Sequence, residues 1–456
     1  MLFRSILYLS LFLSKITIVM EYFPRTEEER ELSRLRWLSQ QQHGRLALVT
    51  GLPGSGKTET LKRIFSGFKS VTFRIGGKTA GLQMKDFNSV AAEVFGLGKA
   101  FDADCPSSLL GRMADLAMTE NVSVVLDNFE ALEQYWKGEY SAIDALWREK
   151  HSRTKMFLVL SGSSLPSLER IFNFEDSPMY NSLDSVVRFE PVKIGEFREV
   201  LAPEGSETEP SDILLAWAMT GAFVSLFSRM VDSGARDRES LLDEYFRPGS
   251  PYIILKEGFL STLFGREKDV YMSVLQAIAE GCRSQKEIEE RLGINVGGHL
   301  SKLESQYDLV SRERPVFADP HSRGVVRYGI KDISLEFFMR YVWVNASLLS
   351  AGNFDAMKAR VSDGLEDWLD TVQVRYFRRK ILEESEWEHV GGWWGKRASM
   401  DIVAWSENRK RVLVARSYRN PSDYDPEDFR LTVNSFKILS GRAAGLQASY
   451  LTRKDV

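Results

Sequence analysis

An α/β fold built on a parallel sheet is what this chain predicts, and three stretches predict it. The apolar run Arg45-Leu-Ala-Leu-Val-Thr50 leads into the glycine-rich segment GLPGSGKT, and Thr58 to Ser66 then reads as a helix. Asn121-Val-Ser-Val-Val-Leu-Asp127 is a second short apolar run, closing on a carboxylate. Lys155-Met-Phe-Leu-Val-Leu-Ser161 is a third, closing on small polar residues. Short, continuously apolar strands alternating with helical segments belong to sheets covered on both faces, and such sheets are parallel.

The first stretch carries the chemistry. Gly51, Gly56, Lys57 and Thr58 satisfy G-x-x-x-x-G-K-[ST] between a strand and a helix, the setting the mechanism of that motif needs. Glycines let backbone N–H groups turn inward around phosphate oxygens, and the helix N-terminus adds its positive end. The expected nucleotide-binding set is Gly51, Pro53, Gly54, Ser55, Gly56, Lys57, Thr58 and Thr60. Lys57 would reach the β and γ phosphates, and the Thr58 hydroxyl would ligate Mg²⁺. A plain strand-to-helix turn with a solvent-facing lysine is the competing structural reading. It leaves the second carboxylate unexplained.

Holding the magnesium takes that acid, at the end of a neighbouring strand, and Asp127 supplies it. The metal set is therefore Thr58 and Asp127, and the catalytic set Lys57, Asp127 and Asn128. ATPases of this type usually carry a glutamate beside the aspartate to polarise the attacking water. Asn128 stands there instead, and an amide orients water without accepting its proton. Glu130 lies two residues on, displaced by the backbone from that position. Binding is thus expected, with hydrolysis slow or impaired. The third strand, ending in Ser161-Gly-Ser-Ser164, offers hydroxyls to the γ-phosphate or serves only as a turn. No Asn-Lys-x-Asp element supports GTP, so ATP is the expected nucleotide.

Composition sets the bounds. The 456 residues are 43% hydrophobic and 27% charged, which suits roughly two to four globular domains. A formal net charge of −3 gives no bulk attraction to nucleic acid, so any such binding needs a local basic surface. Two distant cysteines, Cys105 and Cys282, argue against a disulfide scaffold or zinc site and fit a cytoplasmic setting. Residues 1–19, MLFRSILYLSLFLSKITIV, read as a mis-assigned start ahead of Met20 or as an apolar leader. The apolar stretch before Lys15 is short for a membrane span.

These residues resemble the archaeal-type ATPase family in the AAA+/STAND region of P-loop proteins, members of which also occur in bacteria. FPRTEEERELSRL is similar to that family's opening segment, with Pro24 where a glycine is usual. GLPGSGKT, VVLDNFEAL and FLVLSGSS follow in the family's order. SPMYNSLDSVVRFEPVKIGEFREVL resembles its strand leading into a helical lid. Asn181-Ser182 follows Tyr180 where relatives have Gly-Arg, so an arginine finger is absent there. TGAFVSLF, from Thr220, stands at a turn that is Gly-Gly-Val-Pro-like in the family.

The resemblance implies an α/β P-loop NTPase parallel sheet with a helical lid, a winged-helix domain and a C-terminal α/β restriction-endonuclease-like domain. The boundaries expected are 20–200 for the ATPase core, 201–265 for the lid, 266–345 for the winged helix with its linker helix, and 346–456 for the nuclease-like domain. Within the winged helix, Asp269 to Gly281 has helical apolar spacing. Ser284 and Glu287 form a capping box on a second helix that Gly293 ends. Asn295 to Val310 is a third helix, and Val310 to Tyr328 reads as two strands around a wing. YGIKDISLEFFMRYVW, from Tyr328, is expected as a further helix. His299 and Lys302 on the third helix, with Arg312, Arg314, Arg323 and Arg327 on the wing, would contact DNA phosphates. Glu304 and Asp308 weaken that surface, so a packing or partner role stays open.

In the last domain, Val372 to Glu384 is helical, Gly391-Gly392-Trp393-Trp394 reads as a turn, and Asp401 opens a hairpin into RVLVARSY. The nuclease-like fold uses an Asp, then Glu-x-Lys on the next strand. Asp401 matches the first acid, but Ala415 and Ser417 stand in place of the other two. One carboxylate does not build the usual metal site, so the domain is expected to be inactive. Trp393, Trp394, Tyr418 and Arg419 would contact nucleic acid or protein, or simply pack.

The reading that joins these parts is an ATP-binding regulatory switch that couples nucleotide state to the winged-helix and nuclease-like module. The alternative is an ATP-dependent DNA-binding enzyme or nuclease. Partners expected beyond ATP are DNA through the winged helix, an unidentified protein, or further copies of the chain in a homo-oligomer.

Overall fold

The structure, a computed structural model, describes residues 23–96, 102–163, 165–264, 268–317, 326–384, 386–395, 398–406, 410–440 and 445–456. The leader at 1–19, together with Ser164 and Arg323, lies outside the described residues. The chain divides into two compact units, residues 24–190 with 305–308, and residues 191–304 with 309–456 and Phe23.

In the first unit, five strands form one sheet: β1 (Arg45–Thr50), β2 (Ser70–Arg74), β3 (Val122–Asp127), β4 (Met156–Gly162) and β5 (Ser185–Arg188), in the order β2-β3-β4-β1-β5. Every pairing is parallel. The period of two in each strand explains why the apolar runs are continuous. Leu46, Leu48, Val124, Leu126, Leu158 and Leu160 face one core, with residues of the helices Ala80–Phe95, Pro106–Leu116 and Glu139–Lys150. Ala47, Val49, Val125, Phe157 and Val159 face the other, against Leu32 and Leu35 of helix Thr26–Gln41 and Leu61, Ile64 and Phe65 of helix Lys57–Phe65. Both faces are buried, as a parallel sheet requires.

Register places the strand ends together. Thr50 pairs with Gly162, and Ser161 pairs with Asp127. The phosphate-loop strand therefore has β4 on one side and β5 on the other, with the aspartate one strand beyond β4. Such carboxyl-terminal ends are where open α/β sheets bind ligands.

The second unit opens with the helices Ile194–Leu201, Pro210–Thr220, Val224–Ser233, Arg238–Tyr245 and Pro251–Phe264. Gly221 and Ala222, in the Thr220-Gly-Ala-Phe turn, both take left-handed backbone, φ 62° and 57°. Three helices follow, Lys268–Ala279, Gln285–Leu292 and Gly297–Ser305, and then an antiparallel pair, β6 (Val310–Glu313) and β7 (Arg327–Ile330). The Ser284–Glu287 capping box forms, and Gly293 ends its helix in left-handed conformation. The run from Tyr328 differs from the helix expected. Tyr328 to Ile330 belong to β7, and helix Ile333–Phe337 starts only at the N-cap Asp332, whose carboxylate accepts from Ser334 N at 2.8 Å. The capping aspartate decides the boundary.

The last four strands, β8 (His389–Trp394), β9 (Ser399–Trp405), β10 (Val412–Tyr418) and β11 (Leu446–Thr452), form a mixed sheet in the order β11-β10-β9-β8. Only β10–β11 is parallel. Gly391-Gly392-Trp393-Trp394, expected as a turn, is strand β8 with a bulge between Gly391 and Trp393. Its glycines serve close approach. A Cβ on Gly391 would lie 2.7 Å from Val316, and one on Gly392 would collide with the Arg378 guanidinium. Trp393 and Trp394 are buried, Trp393 edge-on against Phe436. No helix among the described residues is long and apolar enough to cross a membrane.

A candidate nucleotide-binding site

The loop after β1 is held by its own backbone. Gly51, Gly54 and Gly56 take positive φ of 153°, 88° and 99°, which residues with a Cβ rarely adopt. Gly51 is also sterically obligatory, since a Cβ there would meet Phe189 O at 2.5 Å and Ser55 Oγ at 2.8 Å. Ser55 is fully buried, and its hydroxyl has no hydrogen-bond partner within the protein. A buried, unsatisfied hydroxyl inside a ring of positive-φ glycines is a polar group awaiting a ligand. Pro53 and Thr58 are exposed at the loop rim, and Thr60 is buried one turn into the helix.

Lys57 is the charged centre. It is buried, with Nζ donating to Gly51 O, to Leu52 O at 3.2 Å and toward Ser163 Oγ at 3.4 Å. Burial pulls its ammonium down to about 8, while the Asp127 and Glu130 carboxylates hold it up. Below pH 8 the side chain is a cation, and above it an amine that pairs poorly with phosphate. Affinity for a phosphate-bearing ligand is therefore expected to be level below about pH 8 and to fall above it. Binding near pH 8 should take up a proton, because an anion restores the charged form. Calorimetry in buffers of different ionisation enthalpy checks both signs.

The structure sets Asp127 and Asn128 differently. Asp127 is half-buried at the end of β3, within electrostatic reach of Lys57. Asn128 takes left-handed backbone, φ 61°, and its Nδ2 donates to Ile75 O at 2.9 Å, just past β2. Its amide is thus turned to the β2 side. Glu130, on the short 3₁₀ turn Phe129–Ala131, instead has Oε1 accepting from Ser163 N at 2.8 Å. By linear spacing Glu130 lies off the expected position; the left-handed residue before the turn carries its side chain to the end of β4.

Asn181, also left-handed at φ 57°, follows Tyr180, whose carbonyl accepts from Arg148 at 2.8 Å. In the second unit, Asp401 on β9 accepts from Ser417 N at 3.0 Å, and buried Ala415 pairs with Ile402. Burial raises the Asp401 carboxyl, opposed by the Ser417 N–H and by Arg416, Arg378 and Arg327. No cluster of three or more His, Cys, Asp or Glu side chains suited to a metal occurs among the described residues. His299 packs edge-on against Tyr271, and Arg327 lies over the Trp394 ring at 4.3 Å.

No family model matches the chain. Uncharacterized protein MJECL04 of Methanocaldococcus jannaschii is 22% identical over 313 residues, 66% of this chain and 69% of that protein. Among solved structures, the Walker-type ATPase paby2304 of Pyrococcus abyssi superposes with a TM-score of 0.50 at 15% identity, covering 70% of this chain and 96% of that one. The ORC2 protein of Aeropyrum pernix, solved as ADPNP-ADP complexes, gives 0.43 at 14% identity over 75% and 97%, too distant to add to the assignment. With the parallel sheet, the glycine loop and the buried lysine already described, this chain has the P-loop fold that it shares with that Walker-type ATPase.

Proposed function

We propose that this protein is a regulatory ATPase that binds Mg·ATP and hydrolyses it slowly, coupling nucleotide state to the winged-helix and nuclease-like module. The observation that carries it is Lys57. A buried cation resting on two backbone carbonyls and a serine hydroxyl is poised for an anion, and the unsatisfied Ser55 hydroxyl lies in the same loop.

Thr58 and Asp127 fit magnesium in donor type, a hydroxyl and a carboxylate at the rim of the loop and the end of β3. When bound, the ion neutralises phosphate charge. The chain's own groups do the rest. Backbone N–H groups of the loop hold the phosphates, Lys57 reaches the terminal ones, and Ser163 lies beside the Lys57 ammonium.

For the C-terminal domain, the buried Ala415 and the Asp401–Ser417 contact support a nuclease-derived module without cleavage chemistry. DNA contact is supported by the exposure of Arg312, on β6, and of Arg314, just after it. Nucleotide affinity with and without Mg²⁺, and ATP turnover with and without duplex DNA, test the proposal. Expected are Mg²⁺-strengthened ATP binding, slow turnover and no cleavage of plasmid DNA. A folded protein with no affinity for any adenine or guanine nucleotide overturns it.

A further inference from the structure

We infer that Glu130, rather than the residue next to Asp127, is the carboxylate that orients and deprotonates the attacking water. This rests on the nucleotide-binding reading above and deepens it.

The backbone after β3 is the reason. A left-handed residue costs an asparagine less than most side chains, and Asn128 is held there by its own bond to Ile75 O. The chain reverses into the 3₁₀ turn, and Phe129 is driven into the core, fully buried against Tyr140 at 5.2 Å and Phe172 at 6.1 Å. The Tyr140 hydroxyl donates to Glu130 O at 2.9 Å and to Phe129 O at 3.3 Å, which fixes the turn from below.

With Phe129 locked inward, the Glu130 side chain is carried across to the end of β4. Its Oε1 accepts from Ser163 N at 2.8 Å, and its Oε2 sits where a side chain at 162 would begin, so only glycine fits there. Ser163 is in turn the residue whose hydroxyl lies 3.4 Å from Lys57 Nζ. Glu130 and Asp127 are the two carboxylates whose charge Lys57 feels. The acid at position 130 therefore shares Ser163 with the lysine that reaches the terminal phosphate, while the amide at 128 is bonded beside β2.

The step balances without a further reactant. The water oxygen bonds the γ-phosphorus as the bond to the ADP oxygen breaks, and that electron pair leaves with ADP. The proton of the water passes to a Glu130 oxygen and from there to solvent. A positioned carboxylate contributes about 10²–10⁴-fold to such a transfer.

Glu130→Gln tests it, because the amide keeps the volume and an oxygen for Ser163 N–H. Expected is a fall in ATP turnover of ~100-fold or more, with ATP affinity and melting temperature close to those of the parent. Asn128→Glu, aimed at the usual position, is expected not to raise turnover. Gly162→Ala, which displaces the carboxylate, should lower turnover while ATP still binds. If Glu130→Gln turns over like the parent, if Asn128→Glu turns over faster, or if the parent binds ATP without measurable hydrolysis, the inference fails and the nucleotide-binding reading stands. If the parent does not bind nucleotide, both fail.

Discussion

Lys57→Ala abolishes measurable nucleotide binding and leaves the protein folded. The side chain is only 8% exposed, and its contacts are carbonyls and a hydroxyl that water can satisfy when it leaves. Each hydrogen bond from a cation to a charged acceptor is worth about 1.5–3 kcal/mol. Two such bonds to phosphate correspond to roughly 3–6 kcal/mol, or about 10²–10⁴-fold in affinity. Truncation also relieves the burial that pulls the ammonium down, so the melting temperature is expected to hold or rise. Binding of a fluorescent nucleotide and a melting curve on the same sample decide it. Affinity retained within threefold would remove Lys57 from the site.

Lys256→Met destabilises the second unit by about 3–5 kcal/mol, the cost of leaving a buried charge without its partner. Lys256 lies in helix Pro251–Phe264 and pairs with Asp332, the N-cap of helix Ile333–Phe337; their side chains are 12% and 10% exposed. Asp332 also accepts from Ser334 N and Oγ at 2.8 and 2.7 Å. The Gly221 turn packs on it so tightly that a Cβ would lie 2.9 Å from its Oδ1.

Burial pushes the Asp332 carboxyl up, but the Lys256 ammonium and then Ser334 outweigh it and hold it below the usual carboxylate range. In the parent, the stability this contributes is therefore present above about pH 4 and lost as pH falls through the lowered value. In the variant, burial dominates and raises the carboxyl, so acid relieves the buried charge. The gap in melting temperature between the two proteins should narrow from pH 7 toward pH 4. A gap that widens would show that Asp332 keeps its charge by other means.

How far the sequence could be read differs between the two units. Strand β1 and the helix after it are legible within a residue, because a continuous apolar run, a glycine loop and a helix start each have a local cause. The Ser284–Glu287 capping box is local too, and it forms as read. The errors sit where tertiary contacts overrule local chemistry. Gly391 and Gly392 suggest a turn by composition, yet they are glycines because Val316 and Arg378 approach them within a strand. The start of the helix after β7 was masked by apolar residues running on from Tyr328 through Ile330.

At the candidate site, residue types were visible and their directions were not. VLDNFE places an amide next to Asp127, and spacing alone assigns it the water. Only the left-handed backbone at Asn128 and the buried ring of Phe129 reveal that the chain turns. That turn is held by the packing of Phe129 against Tyr140 and Phe172, which come from the separate helices Glu139–Lys150 and Leu165–Phe172.

The order of the five-stranded sheet has a temporal meaning. Strand β1 hydrogen-bonds to β4 and β5 alone, pairing Arg45 with Phe157 and Thr50 with Arg188. As the polypeptide leaves the ribosome, the stretch ending in Thr50 has no strand to pair with until residues beyond 156 emerge, and its second edge waits for 185–188. Long-range pairings of this kind close late and expose apolar surface meanwhile. The nascent chain thus carries both backbone edges of Arg45–Thr50 unpaired through most of the making of this unit, the interval in which a chaperone would engage it.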